Sequence, residues 1–176
     1  MITQQAEQGG VTAAALSEER NADSGGGEEF WQLVTCRLGR EEFAIDILSV
    51  QEIIRMVEVT RVPKAPAFVE GVINLRGRII PVLDLRQRLG MADAERTEQS
   101  RIVVVSVHSL IVGLLVDSVS EVLRIPCSTI EAPPALGSTV GAEFIRGVGR
   151  IADRLLIVLD LNRLFSPGEQ AALQAA

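Results

Sequence analysis

Aromatic residues are scarce in this 176-residue sequence, which contains five phenylalanines, one tryptophan and no tyrosine. A surface that stacks nucleic-acid bases needs several exposed rings, so this composition disfavours base stacking. Hydrophobic residues nevertheless make up 47% of the chain, a share typical of globular domains. We therefore expect a core built from valine, isoleucine and leucine.

Histidine and cysteine are also rare, with one histidine, His108, and two cysteines, Cys36 and Cys127. The cysteines are far apart and neither lies in a C-x-x-C pair, so the sequence predicts no metal site. We interpret both as buried, reduced thiols. His108 lies in a predicted two-residue turn, where an exposed side chain is expected rather than a general base.

Basic charge is not concentrated in any one segment. The net charge is -6, and residues 1–29 hold six acidic residues against one arginine, so the remainder is close to neutral. Neither a nucleic-acid backbone nor an anionic membrane is therefore predicted as a partner. Residues 1–29 also have too few large apolar residues to offset their ordering entropy, which predicts a disordered acidic tail. We recognise no signal peptide or membrane span and expect a cytoplasmic protein.

Short apolar runs separated by turn residues predict four β-hairpins. The paired runs are Phe30–Leu38 with Glu42–Ile47, Phe68–Leu75 with Arg78–Leu83, Arg101–Val107 with Leu110–Val116, and Phe144–Ile151 with Arg154–Leu159. Two further segments, Ile47–Arg55 and Leu85–Leu89, are predicted to be helical, with Asp84 at the N-cap of the second. The last hairpin turn, Ala152-Asp153, lacks glycine, so we expect a looser hairpin there.

Several segments recur along the chain, which indicates a duplicated subdomain. Phe68–Val72 recurs as Phe144–Val148 and Arg78–Leu85 as Arg154–Leu161, both at an offset of 76, and Val50–Arg55 resembles Val119–Arg124. Two copies at this spacing do not make a solenoid. Because each half is small, we expect the two halves to share or abut one core.

Signatures of catalysis are weak. Gly147–Ala152 reads G-x-G-x-x-A, but a dinucleotide fingerprint needs a helix after it, and a strand pattern follows here. Lys64 is followed by Ala65, which does not fit a phosphate-binding loop. Asp84 and Asp160 precede helical stretches at equivalent places in the repeat, so helix capping is favoured over acid–base chemistry. We predict no enzymatic activity and no cofactor.

A specific motif lies within Val59–Leu89, where P-x-x-P-x-F-V-x-G-V-x-N-L-R-G is followed by I-P-V-x-D-L-R. From Phe30 to about Phe165 the sequence resembles the CheW-like family of chemotaxis coupling (scaffold) proteins. Weaker matches in the second half are Val112–Arg124, Ile130–Pro134 and Phe144–Phe165. The resemblance implies an all-β fold of two SH3-like five-stranded barrels, related by the internal repeat and accompanied by short helices.

The resemblance also implies a domain organisation. A disordered tail over residues 1–29 precedes a CheW-like domain over 30–165, and 166–176 form a C-terminal tail that is either a short helix or frayed. The domain divides into approximate halves, 30–100 and 101–165, which we expect to interleave.

By resemblance, the function is that of a non-catalytic adaptor. Such an adaptor couples the cytoplasmic tips of transmembrane, methyl-accepting chemoreceptors to the CheW-like regulatory domain of the histidine kinase CheA, in arrays at the inner face of the membrane. An alternative is an adaptor of a related receptor–kinase pathway, such as pilus motility or surface sensing. A kinase fragment is disfavoured because no ATP-binding motif or phosphorylatable-histidine helix is recognised. A ligand-binding barrel or enzyme would need a deep polar pocket, which no motif indicates.

The resemblance places the main functional position at Arg76, with Glu52 as its ionic partner. The loop around Arg76 is framed by Gly71, Val72, Asn74, Leu75 and Gly77. A receptor groove would draw on Val50, Val112, Leu114 and Val119, and the kinase-facing end on Val57–Val62. Three simpler interpretations stay open: Arg76 as an exposed turn residue, Glu52 as a solvated helix residue, and the two valines at 50 and 119 as core.

Overall fold

The computed structural model describes residues 11–12, 28–133 and 142–174. Most of these residues are β-strand, which confirms the all-β prediction. The strands are β1 (Val11–Thr12), β2 (Phe30–Leu38), β3 (Glu41–Asp46), β4 (Val50–Arg55), β5 (Val69–Leu75), β6 (Arg78–Asp84), β7 (Arg101–Val107), β8 (Leu110–Val116), β9 (Ser118–Pro126), β10 (Ile130–Glu131), β11 (Ile145–Ile151) and β12 (Arg154–Leu159). The α-helices are α1 (Leu85–Arg88) and α2 (Pro167–Gln174), and 3-10 turns cover Ile47–Ser49, Cys127–Thr129, Ala142–Phe144 and Leu161–Arg163.

The strands form two sheets, β1-β4-β7-β8-β6-β5 and β10-β11-β12-β3-β2-β9. The order β4-β7-β8-β6-β5 in the first sheet corresponds to β9-β2-β3-β12-β11 in the second. We call the unit built from β4–β8 barrel 1. The unit built from β2, β3, β9, β11 and β12, with the two-residue β10 as its closing segment, is barrel 2. Barrel 2 takes its hairpin β2–β3 from the chain that precedes barrel 1. The two barrels therefore interleave along the chain, because β2 and β3 lie in barrel 2 while β7 and β8 lie in barrel 1.

Each sheet closes on itself through the chain that follows β4 in barrel 1 and β9 in barrel 2. After β4, Thr60 returns to β5 and exchanges two backbone hydrogen bonds with Val72, at 2.9 and 2.8 Å. After β9, strand β10 returns to β11 in the same way, with Ile130 opposite Gly149. The two five-stranded barrels implied by the family resemblance are thus observed.

All four predicted hairpins are present. Two-residue hairpin turns require left-handed backbone conformations, and His108 and Ser109 adopt them with φ of 49° and 67°. The looser hairpin predicted at the last turn is wrong. Ile151 pairs directly with Arg154, because Ala152 takes a φ of 53° in place of a glycine.

The helix predicted over Ile47–Arg55 is also wrong. Its first three residues form a 3-10 turn, where the Asp46 carboxylate accepts a hydrogen bond from the Leu48 N–H at 2.9 Å. The rest is β4, which pairs antiparallel with β7. Half of the residues in β4 are β-branched, a composition that fits a pleated strand better than a helix.

The two aspartates predicted as caps do cap their helices. Asp84 accepts a hydrogen bond from the Arg86 N–H at 3.0 Å at the start of α1. Asp160 accepts one from the Asn162 N–H at 3.1 Å at the start of the last 3-10 turn. Burial raises the pKa of Asp84, although hydrogen bonds from the backbone N–H groups of Gln87 and Arg86 oppose that rise.

One hydrophobic cluster joins the two barrels, which confirms the expected shared core. Its buried members include Val34, Cys36, Phe43 and Ile45 from barrel 2, and Val50, Leu83, Val103, Val105, Val112 and Leu114 from barrel 1. Smaller clusters fill each barrel. They comprise Ile54, Ile73, Ile80, Val82, Ile102, Val104 and Leu115 in barrel 1, and Leu33, Ala44, Ile125, Leu156 and Val158 in barrel 2.

Asp117, at the junction of β8 and β9, ties the barrels together by polar contacts. Its carboxylate accepts hydrogen bonds from the Gly39 N–H at 2.8 Å and from the Arg86 Nε–H at 2.8 Å, and it forms an ion pair with the same guanidinium. Its own N–H donates to the Arg37 carbonyl at 3.0 Å. The hydrogen bond from Arg86 lowers the pKa of Asp117, against the opposing effect of burial.

The C-terminal tail forms a helix, α2, whose start is capped reciprocally. The Ser166 hydroxyl accepts from the Glu169 N–H at 3.2 Å, and the Glu169 carboxylate accepts from the Ser166 N–H at 2.9 Å. This is a capping box. Leu173 is buried in the shared core, so the helix is docked against the barrels.

Arg88 of α1 attaches α2 to barrel 1. Its guanidinium donates to the Glu169 carboxylate at 2.9 and 2.6 Å and to the Leu164 carbonyl at 2.7 Å. It also lies over the rings of Phe68 and Phe144, 4.4 and 5.0 Å from their centroids. One side chain therefore connects four separate segments.

Most of the predicted disordered tail, 1–29, lies outside the described residues, as does the end of the Ile130–Pro134 motif. Within the tail, β1 pairs antiparallel with β4, with Val11 opposite Ile53. Among the described helices, none is long and apolar enough to cross a membrane.

Candidate interaction surface

The turn between β5 and β6 presents Arg76 at the rim of barrel 1. Arg76 and Gly77 have φ of 53° and 82°, as a two-residue turn of this kind requires. The Asn74 side-chain oxygen accepts a hydrogen bond from the Gly77 N–H at 2.9 Å and so holds the turn. Asn74 and Gly77 therefore shape the turn that carries Arg76.

Arg76 and Glu52 form the ion pair that the family resemblance implied. The two guanidinium Nη atoms donate to the two carboxylate oxygens at 2.7 and 2.6 Å. Glu52 lies on β4 with its side chain 9% exposed, whereas that of Arg76 is 69% exposed. The buried carboxylate thus fixes the orientation of a guanidinium that faces solvent.

Gly71 and Val72 lie where barrel 1 closes, because Val72 pairs with Thr60. A Cβ at Gly71 would lie 2.3 Å from the Thr60 carbonyl oxygen, so only glycine allows the approach that pairs Thr60 with Val72. The repeat-equivalent Gly147 has the same constraint, because a Cβ there would lie 2.4 Å from Ile130 Cγ2. The role of Gly71 in the motif is therefore structural.

Ile79 is an exposed neighbour of Arg76 that sequence reasoning missed. It lies opposite Asn74 on β6, one cross-strand pair from the turn, and is 65% exposed. The alternation of side chains along β6 indicates this exposure, because Ile80 faces the interior and Ile79 therefore faces solvent. We call Arg76, Asn74 and Ile79 the Arg76 surface. Leu75, between them, packs partly against the interior of barrel 1.

Of the three valines and one leucine predicted to line a receptor groove, three are buried and one is partly buried. Val50, Val112 and Leu114 are 2%, 0% and 1% exposed and belong to the shared core. For these three the groove assignment is wrong, because β4 and β8 turn these side chains toward the other barrel. Val119 is partly buried and packs against the same core. In the segment 57–62, Val57 is 45% exposed, and its kinase-facing role stays a prediction.

The two cysteines differ in environment. Cys36 is fully buried, and burial together with the nearby charges of Asp117 and Glu42 raises its pKa to about 12. Cys127 is only partly buried, so the prediction of two buried thiols is wrong at this position. Cys127 follows directly on the end of β9, where the chain leaves the sheet.

His108 and the G-x-G-x-x-A string have the simpler roles that were expected. His108 lies in the β7–β8 turn, and its Nε2 is 3.0 Å from the Asn162 carbonyl oxygen. The glycines of the string lie within β11, which hairpins directly into β12 without an intervening helix. The string is therefore part of a β-hairpin and not of a dinucleotide-binding turn.

Two interleaved barrels that share one core, with a fixed arginine on an outer turn, define a two-barrel interaction module. Its candidate site is an outer surface that could contact another protein through Arg76 and Ile79. Exposed arginine next to apolar side chains is typical of protein–protein contact surfaces.

Comparison with known proteins gives the same class. The CheW-like domain matches residues 32–169. A probable chemotaxis protein CheW of Rhizobium etli is 40% identical over 141 residues, which cover 80% of this chain and 91% of the relative. Protein FrzA of Myxococcus xanthus is 30% identical, over 78% and 86% of the two chains. The crystal structure of the scaffolding protein TtCheW from Thermoanaerobacter tengcongensis superimposes with a TM-score of 0.74 at 36% identity, covering 80% and 96% of the two chains. The chain therefore belongs to the CheW-like family.

Proposed function

We propose that this chain is a non-catalytic adaptor that couples transmembrane chemoreceptors to the histidine kinase CheA. The observation that carries the proposal is the solvent-facing Arg76 guanidinium held by the buried Glu52 carboxylate. Relatives named for chemotaxis and a solved relative described as a scaffolding protein support it. The protein would act in the cytoplasm, in receptor arrays at the inner face of the membrane.

The ion pair suits recognition because it holds the Arg76 guanidinium in one orientation before a partner binds. Glu52 accepts two of the five N–H donors of Arg76, and three donors stay available for carboxylates or carbonyls of a partner. A side chain already held in one orientation loses little further entropy on binding. Ile79 supplies adjacent apolar area. The Arg76 surface therefore offers both an oriented hydrogen-bond donor and apolar surface that a partner can bury.

Adaptor function of this kind needs a fixed spatial arrangement of the two partners and no chemical reaction. Holding receptor and kinase in a fixed arrangement lets different contacts in two signalling states bias kinase activity. Individual contacts of modest affinity become effective when many copies assemble in one array.

Isothermal titration calorimetry with the CheW-like regulatory domain of a CheA kinase, and separately with a receptor cytoplasmic fragment, tests the proposal. We expect the unmodified protein to bind both, and Arg76→Ala to weaken at least one by about tenfold, as truncation of an interface arginine typically does. Arg40→Ala is the matched control, because Arg40 is an exposed turn arginine of barrel 2.

The double variant Glu52→Gln/Arg76→Ala separates binding from stability, since Arg76→Ala alone leaves a buried carboxylate unpaired. If the double variant is as stable as the unmodified protein and still binds weakly, Arg76 contacts the partner. Full binding by both variants would show that Arg76 is only a turn residue. Absence of binding by the folded, unmodified protein would refute coupling to CheA.

A related receptor–kinase pathway, such as pilus motility or surface sensing, is the second candidate. The family likeness extends to Protein FrzA as well as to proteins named CheW, and it does not distinguish one kinase partner from another. Titration against regulatory domains from both kinds of pathway, with the same variants, distinguishes the two candidates by their relative affinities.

A further inference from the structure

Two arginines lie directly opposite each other where β4 ends and β7 begins. Arg55 is the last residue of β4 and Arg101 is the first residue of β7, and the antiparallel register pairs them. Directly opposite residues share one face of a sheet, with Cβ atoms about 5 Å apart. Arg55 is exposed and Arg101 is partly exposed. The sheet therefore presents two guanidinium groups side by side.

This pairing of like charges stands out among the strand pairs. In the registers of the described strands, it is the only position at which two charges of the same sign lie opposite each other. Arg37 of β2, by contrast, lies opposite Glu42. Like charges directly opposite each other destabilise a sheet. Local arrangements that lower stability in this way are expected at functional sites.

The described part of the chain provides no acidic partner for either arginine. Nη1 of Arg101 donates to the carbonyl oxygens of Glu98 and Ser100, both at 2.8 Å, and these bonds orient the guanidinium. The Arg55 side chain forms no hydrogen bond or ion pair with a described residue. The remaining N–H donors are therefore available to a carboxylate from another molecule, an acceptor that arginine binds in bidentate geometry.

Barrel 2 shows that the fold does not require two arginines at this place. In the internal repeat Arg124 corresponds to Arg55, and the residue opposite Arg124 is Gln32 rather than an arginine. The Arg124 guanidinium lies over the ring of Phe30, 3.9 Å from its centroid. The equivalent arginine of barrel 2 thus contacts a side chain of its own fold, opposite a neutral residue. Two opposed arginines are a feature of barrel 1.

We propose that Arg55 and Arg101 form a docking site for an acidic segment of a protein partner, with a carboxylate held between the two guanidinium groups. Arg55 and Glu52 are three residues apart in a regular stretch of β4 and point to opposite faces, so this site is separate from the Arg76 surface. Val57, two residues beyond Arg55, is 45% exposed and offers apolar area that suits a protein segment. A long polyanion such as DNA fits poorly, because the whole chain has a net charge of -6.

Fluorescence anisotropy with a fluorescein-labelled hexaglutamate peptide tests the site directly. At about 20 mM salt, where screening is weak, we expect the unmodified protein to bind the peptide. Arg55→Gln/Arg101→Gln should bind it about five- to twentyfold more weakly, since an exposed charge contact contributes up to about fivefold. Arg40→Gln/Arg150→Gln is the matched control, because it removes two exposed arginines of barrel 2 and changes the net charge equally.

Three results of this measurement would overturn the inference. They are no binding of the peptide by the unmodified protein, equal weakening in the two double variants, and tighter binding of a DNA oligonucleotide or an anionic phosphatidylserine vesicle than of the peptide. Urea denaturation adds a readout for a purely structural role. Relief of the charge repulsion should leave the midpoint of Arg55→Gln/Arg101→Gln unchanged or raise it, and a lower midpoint would overturn the inference.

Titration with the kinase regulatory domain and the receptor fragment identifies the partner, and only this step rests on the proposed function. Arg55→Gln/Arg101→Gln should bind one of the two more weakly than the control variant does. Equal affinities of both variants for both partners would overturn the inference. If neither partner binds the unmodified protein, the proposed function is refuted, while the peptide measurement still decides whether the arginine pair holds carboxylates.

Discussion

The Arg88 side chain contacts four separate segments of the fold. Replacing Arg88 by alanine should therefore lower the free energy of unfolding substantially. Its side chain is 17% exposed and that of its partner Glu169 is 26% exposed. Removing one member of a buried ion pair costs about 3–5 kcal/mol. Because Glu169 is partly in water, we expect a value near the lower end, about 3 kcal/mol.

Urea denaturation followed by circular dichroism measures this cost. With a slope of about 2 kcal/mol per molar urea for a domain of this size, the midpoint should fall by about 1.5 M. Arg163→Ala is the control. Arg163 is 68% exposed and lies 3.5 Å from Asp160, so its removal should cost less than about 0.5 kcal/mol.

A double-mutant cycle of Arg88→Ala with Glu169→Ala isolates the ion pair, and we expect a coupling energy of about 1–2 kcal/mol. Burial alone would raise the pKa of Glu169, but hydrogen bonds from Arg88 and Ser166 outweigh it and lower that pKa. A midpoint shift no larger than that of the Arg163 control, or a coupling energy near zero, would refute the assignment of Arg88 as the attachment of α2.

Three further outcomes follow from the same contacts. Gly71→Ala should destabilise the fold by about 3 kcal/mol, because the new Cβ meets a backbone carbonyl; a change below about 1 kcal/mol in urea denaturation would contradict the barrel closure described. Hydrogen bonding to Arg86 lowers the pKa of Asp117 in the folded state, so its stabilisation is present above the unfolded value of about 3.9 and is lost as the pH falls through the folded pKa. The stability gap between the unmodified protein and Asp117→Asn should therefore shrink between about pH 5 and pH 2; a constant gap across urea titrations would refute this. At pH 8 a thiol reagent should label Cys127 and leave Cys36 unmodified until the protein unfolds; mass spectrometry showing labelling of Cys36 in the folded protein would contradict its burial.

The hairpins and caps could be predicted from sequence because their signals are local. Gly39, Gly77 and the short polar turns interrupt apolar runs, and Asp84 stands directly before α1. Local signals failed at β4, where an apolar spacing compatible with a helix was overridden by pairing with β7. They also failed at Ala152, which adopts a glycine-like φ because the flanking strands hold the turn.

Which residues are buried near the candidate site could not be predicted from local sequence, because burial depends on contacts between residues far apart in the chain. Val50 begins β4 and Val112 lies within the continuous apolar run of β8, and only the topology of the two barrels shows that their side chains turn toward the other barrel. Arg76 and Glu52 could be paired in advance because the motif resemblance covered both residues. Ile79 lacked such a motif and became visible only when strand alternation was combined with the position of the turn.

The interleaved order of the strands has a consequence for synthesis of the chain. Barrel 1 is contiguous and can close once β8 has left the ribosome, whereas the β2–β3 hairpin, made earlier, must wait for strands that end at Leu159. About forty more residues must be added, which takes a few seconds at typical translation rates. During that interval β9 can pair with β2, but the β3 edge of the hairpin stays open until β12 is made. Barrel 1, already folded beside it, is the surface against which the apolar face of the hairpin can pack, so the shared core would form before barrel 2 is complete.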